Sequence, residues 1–395
     1  MKDFGTLITV LILTIFLNSC HTKDRSNENS IVIDPMLASE FVPLSEFVDD
    51  VQFIKLETSE ESIILNAKEI IIKDNFIYVI DITLKAVLIF DKKGKFISKL
   101  NKLGEGPDQY RNLGPVFVSD DESTIEVIEL MGSKSKKLIY SIPDFELLDV
   151  SSFDTPFSNS WRKNGDLYYF SAQQIENYVN NEPTNAAIII RNDNNQLSAL
   201  FPKNIEKGGS GFSPFTESFT QNELNETFIS LMYDNTFYQL KNKEAIPLMS
   251  VDFGSYAIDH SIGTLSLERQ MEYLSAEIEG KASFPVLNFH NSRFTAFSYY
   301  YKQNGENLLH QYIKFNQNGK IYHTKSFLND FTTFPNEVYL SSYFLAINHE
   351  IVYKDFLVDI ILPWYSLNGE KEMEVEGLGL IQAEDNPIVM LMKLK

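Results

Sequence analysis

The chain has 395 residues, of which 44% are hydrophobic and 22% charged, and its net charge is −20. That balance excludes an intrinsically disordered chain, which lacks the apolar side chains to build a core. The acidity excludes nucleic acid as a partner, because phosphates need a basic surface, and it disfavours charge-driven docking on anionic lipid while favouring a soluble monomer.

In chain order the first feature is the apolar run LITVLILTIFL at residues 7–17. It is shorter than the ~20 residues a permanent membrane span requires and has the length of a signal-peptide core, with Lys2 before it. The run ends in Leu17-Asn18-Ser19-Cys20, and Cys20 is the single cysteine of the chain. No intramolecular disulfide can form, so the fold is held by burial alone. The tetrapeptide resembles the lipobox of bacterial lipoproteins, which implies cleavage before Cys20 and acylation of that residue. A signal cleaved without lipidation and a permanent span are the competing readings. The polar stretch that follows has no periodicity and reads as a tether. The expected organisation is a signal peptide over 1–19, a polar tether over 20–48 and a folded domain over 49–395.

From residue 51 onward the pattern is strand, turn, strand. Residues 69–73, 75–81, 86–90 and 95–100 are β-rich runs, and the Asp-x-x-Gly turn at Asp91 to Gly94 marks a hairpin. Four such strands make one propeller blade, and blades stacked around an axis cover one another's faces. Similar units follow at 115–150, 167–201, 228–253, 294–327 and 343–362, with a last strand at 387–394. Six units over this length give more residues per blade than the usual ~40–50, so insertions or a seventh blade are implied. One insertion is legible: Leu267, Met271, Leu274 and Ile278 have helical spacing, with Ser266 placed to cap the start and Gly280 the end. Residues 51–57 alternate apolar and polar before the first full unit. Paired into the last blade, they would close the ring.

The segments at 49–58 (DDVQFIKLET), 77–100, 103–110 (LGEGPDQY) and 384–395 together resemble the six-bladed β-propeller lipoproteins of Bacteroides-type bacteria, a family similar in shape to NHL-type propellers. The resemblance implies an all-β, six-bladed propeller carried at the cell envelope, on the outer membrane, facing the periplasm or the exterior. Its activity is undefined.

Chemistry is sparse in the pattern. His260, His290, His310, His323 and His349 show no metal-ligand spacing, no Gly-x-Ser-x-Gly elbow occurs, and no catalytic, metal or cofactor-binding residue is assigned. Gly104-x-Gly106-Pro107 reads as a blade-to-blade crossing, with Tyr110 packing its ring and keeping its hydroxyl in water. Aromatic runs at 168–170 and 299–301 read mostly as packing between blades. Trp161 and Trp364 are the candidate contacts for a carbohydrate, peptide or protein ligand. The reading is a membrane-anchored binding or scaffold module. The alternative is a metal-dependent lactonase- or lyase-like enzyme with its site on the propeller axis.

Overall fold

The computed structural model describes residues 29–395 except 132–133, 157, 159, 173–176, 203–217, 333, 342–346 and the side chain of Leu267. The signal segment, the lipobox-like motif and Cys20 lie outside the described residues, as does most of 343–348 in the sixth unit.

Six four-stranded antiparallel sheets stand around one axis, so the chain is a six-bladed β-propeller and the seven-bladed alternative is set aside. Blade one runs outward from the axis as Ala67–Ile72, Phe76–Asp81, Ala86–Asp91 and Phe96–Leu100. Blade two comprises Val116–Val118, Thr124–Ile128, Lys136–Ser141 and Leu147–Ser152; blade three comprises Ser160–Asn164, Leu167–Ser171, Ile188–Asn192 and Leu197–Leu200. Blade four is Ser218–Gln221, Thr227–Ser230, Thr236–Lys241 and Glu244–Asp252, and blade five is Ala282–His290, Phe294–Gln303, Glu306–Phe315 and Ile321–Leu328. Blade six is Val352–Tyr353, Phe356–Ile361, Ile388–Leu394 and, outermost, Val48–Lys55.

Middle strands such as Ala86–Asp91 are apolar almost throughout because both faces are covered. Tyr78, Ile80, Val87 and Ile89 pack on blade two, whereas Ile77, Val79, Leu88 and Phe90 pack on blade six. The turns follow local chemistry. Asp91 accepts the N–H groups of Lys93 and Lys95 at 2.8 and 2.9 Å, and Gly94 takes φ +82°, which a side chain would oppose.

The ring closes where the sequence pattern places the closure. Val48–Lys55 lies antiparallel to Ile388–Leu394, with Phe53 opposite Met390 and Ile54 opposite Val389. The expected tether over 20–48, in contrast, is folded from Ser30 onward. Ser30–Val32 adds in parallel to the outer strand of blade four, and Ser39–Pro43 does the same on blade five. The cause is the open edge of each outer strand, whose free backbone groups take up even a polar segment. Leu44 and Phe47 are buried just before the closing strand and Val48 at its start.

Insertions account for the long repeat. They are the hairpin of Asn177–Val179 with Glu182–Thr184, the stretch carrying the helix Leu267–Ala276, and the hairpin of Glu372–Val375 with Gly379–Gln382. The helix starts after Ser266 as expected, but the Ser266 hydroxyl makes no cap bond, and Gly280 lies beyond the end at φ +70°. Its buried side also differs. Met271 is exposed, while Gln270 is buried with its amide donating to the Leu265 carbonyl at 2.8 Å. In the crossing after blade one, Tyr110 is wholly buried and its hydroxyl donates to the Lys85 carbonyl at 2.8 Å, so that hydroxyl is not in water.

Candidate functional site

Innermost strands present alternate side chains to the axis. Around one stretch of it, blades one to four and the chain entering blade six enclose a cavity of about 630 Å³. Its chemistry is ionic. From blade one come Glu69 and Lys73, from blade two Asp120 and Glu126, from blade three Arg162 and Lys163, and from the entry to blade six Glu350. Arg162 Nη1 reaches Glu69 at 3.1 Å, joining blades one and three. Lys73 meets Asp120 at 3.2 Å and Lys163 meets Glu126 at 2.8 Å. Six of the seven charges are thereby paired. Glu350 makes no ion pair or hydrogen bond among the described residues. It is open to the cavity yet ringed by protein, and the loss of bulk water pushes its carboxyl above the usual range, with Glu69 and Asp120 adding to the rise and Lys73 and Arg162 opposing it.

Blade four contributes backbone stitching. The Asn164 amide donates to the Asn225 carbonyl at 2.6 Å, and Gln221 donates to the Lys163 carbonyl at 3.3 Å. The innermost strand Asn348–His349, parallel to Ala67–Ile72, carries the chain into position so that Glu350 enters the cavity.

Trp161 and Trp364 are not brought together. Trp161 lines the axial cavity but is buried, with Lys68 Nζ 4.0 Å from its ring centre; burial holds that ammonium below the ordinary lysine range. Trp364 is 63% exposed on the short helix Pro363–Ser366 of blade six. Tyr168, Tyr169, Phe170, Tyr299 and Tyr301 are buried between blades.

The alternative reading, a metal-dependent enzyme, would need histidines to converge on the axis, and none of the five lines the axial cavity. The Tyr299 hydroxyl lies 3.0 Å from His310 Nδ1 and 2.7 Å from His323 Nε2, in the outer half of blade five. Burial pushes these imidazoles down to about 3 and about 4, so both are neutral at physiological pH. Among the described residues no group of three or more His, Cys, Asp or Glu side chains is arranged to hold a metal ion, and no helix is long and apolar enough to cross a membrane.

The charged residues of the axis escape sequence reasoning, although a signal exists. Glu69 and Lys73 flank the apolar triplet 70–72, and Arg162-Lys163 follows a tryptophan. Charges inside β-rich runs mark strand faces that meet water, and in a propeller the axis is the water nearest the inner strands.

Two solved structures share the fold. A candidate exported protein of Bacteroides fragilis NCTC 9343 superposes with a TM-score of 0.66 at 15% identity, covering 93% of this chain and 99% of that one. A DUF4221 family member from Bacteroides vulgatus superposes with a TM-score of 0.52 at 8% identity, covering 88% of this chain and 97% of that one. No curated protein matches the sequence. Residues 30–393 match the model of the family described as Domain of unknown function (DUF4934).

Proposed function

The chain belongs to the DUF4934 family, and from that premise we propose that it is an envelope-bound binding module whose ligand is a short peptide with a free ammonium group, held in the axial cavity. The observation that carries this reading is the charge count in the cavity, where three opposite-charge pairs from three blades leave Glu350 over. Each paired group is pre-positioned by its partner and can exchange it for a ligand charge of the same sign, so a zwitterion meets complementary sites without new side-chain ordering. Glu350 supplies the acceptor for the ammonium. Its carboxyl is held above the usual range by the protein around it, and a bound cation would stabilise the charged form.

The test is a thermal-shift titration of the full chain with free tripeptides, their N-acetylated forms and neutral oligosaccharides. Ligand that binds only the folded form raises Tm. Free tripeptides are expected to do so, acetylated forms less, and Glu350→Gln is expected to remove the difference between the two. No shift with any peptide, or equal shifts for wild type and Glu350→Gln, overturns the reading.

Attachment to the outer membrane through acyl chains on Cys20 is part of the same proposal. Each buried methylene contributes ~0.8 kcal/mol, so several chains on one residue hold stably where one does not. Cys20→Ser is expected to move the protein from the membrane fraction to the soluble fraction. Persistence in the membrane fraction contradicts the anchor.

A further inference from the structure

Blade six carries an acid where the surrounding pattern calls for an apolar side chain. In the strand Phe356–Ile361, Leu357, Asp359 and Ile361 share a face, and Leu357 and Ile361 belong to the core between blades five and six. Asp359 is only 7% exposed. Its carboxylate accepts the backbone N–H of Ile360 at 2.9 Å and that of Tyr339, and no Lys, Arg or His pairs with it among the described residues. It forms part of the wall of a cavity of about 280 Å³ between blades five and six, distinct from the axial one. Glu337, Tyr339, Tyr365 and Asn368 also line this cavity, and no basic side chain does. Beside it, Trp364 stands edge-on to Tyr365 with ring centres 5.8 Å apart.

A buried carboxyl without a counter-ion is satisfied by a proton or by a cation from outside. We propose that this cavity is a second binding site, which takes a primary alkylammonium group with Asp359 as its counter-ion and Tyr339 and Tyr365 as its aromatic wall. Its volume lies at the small end of ligand pockets, matching an amine with a short alkyl body. Aromatic rings beside a desolvated cation add attraction, and the acidic rim at Glu337 excludes anions. In the free protein, burial pushes the Asp359 carboxyl up to about 7. The other titratable groups facing the cavity are Glu337, Tyr339 and Tyr365. Below that value the site is protonated and a cation must displace the proton, so affinity rises as pH rises through it.

Calorimetric titration of the full chain with n-butylamine, beside its neutral analogue 1-butanol, tests the site. The expected result is saturable binding of the amine alone, roughly tenfold or more weaker at pH 5.5 than at pH 8. Asp359→Asn is expected to abolish the binding and Glu350→Gln to leave it intact, which separates this site from the axial one. Should Asp359→Asn fail to fold, Tyr365→Ala on the exposed helix is expected to weaken amine binding. A parallel titration with Nα-acetyl-lysine methylamide distinguishes the two sources of the group. Binding equal to the amine's marks a lysine side chain, and binding of butylamine alone marks a free small amine. Absence of saturable heat with butylamine, equal heat with 1-butanol, or undiminished binding in a folded Asp359→Asn or Tyr365→Ala variant overturns the proposal.

Discussion

Asp81→Ala is expected to cost on the order of 5 kcal/mol of stability, among the largest losses available to a single substitution in this chain. Asp81 ends the second strand of blade one and is wholly buried. One carboxylate oxygen accepts the N–H groups of Leu65 and Asn66 at 2.6 and 2.8 Å, and the other those of Thr83 and Leu84 at 2.9 and 2.7 Å. One side chain therefore satisfies four backbone donors from two loops. Alanine removes the shared acceptor of all four part-buried donors at once, and each donor left unsatisfied costs about 1–3 kcal/mol. Asp81→Asn keeps one oxygen and turns an amide N–H₂ toward the other pair of donors, so it is expected to recover only part of the loss. Thermal unfolding of the two variants beside the wild type gives the comparison. A fall in Tm no larger than that of an ordinary surface substitution contradicts the clamp.

Deleting residues 51–57 is the second large effect. The segment supplies most of the ladder to Ile388–Leu394, and it also holds Ile54 and Leu56, which are buried among residues of blades one and six. Each such side chain is worth about 1.5–3 kcal/mol of burial, and the deletion in addition leaves the last strand with an open edge. The expected outcome is a sharply lowered Tm and concentration-dependent aggregation. A finer probe uses the seam itself. A Cβ on Gly94 would lie 2.1 Å from the Lys55 carbonyl oxygen, and the Gly94 carbonyl accepts the Glu57 N–H at 2.8 Å. Gly94→Val is therefore expected to force the closing strand off blade one and to lower Tm in the same direction. An unchanged Tm after the deletion is incompatible with closure by this strand.

What was legible in the sequence follows the depth of each strand in its blade. The second and third strands of blade one, FIYVID and AVLIFD, are covered on both faces and read as unbroken β-rich runs. The innermost strands of blades three and four, SWRKN and SFTQ, do not, because they are short and present polar side chains to the axis. In blade five the inner strand ASFPVLNFH contains Pro285, which cannot donate to a ladder, and its register shifts around that residue. The axial site is hidden for the same reason, since its charged members come from six separate strands or loops and converge only after the ring closes. Asp359 is the exception: a lone acid inside FLVDII is visible as a break in an apolar run, and its meaning appears once a cavity is seen beside it.

The path of the first described residues has a mechanical consequence. Ser30–Val32, Ser39–Pro43 and Val48–Lys55 step along the outer edges of blades four, five and six in turn. The polypeptide thus enters at the circumference of the disc, along the outer strands of three blades. Eight residues separate Cys20 from Asn29, a contour of at most roughly 30 Å. With the acyl anchor proposed for Cys20, the leash would reach the folded body at the rim of the disc, beside blade four, and not at an end of its central opening.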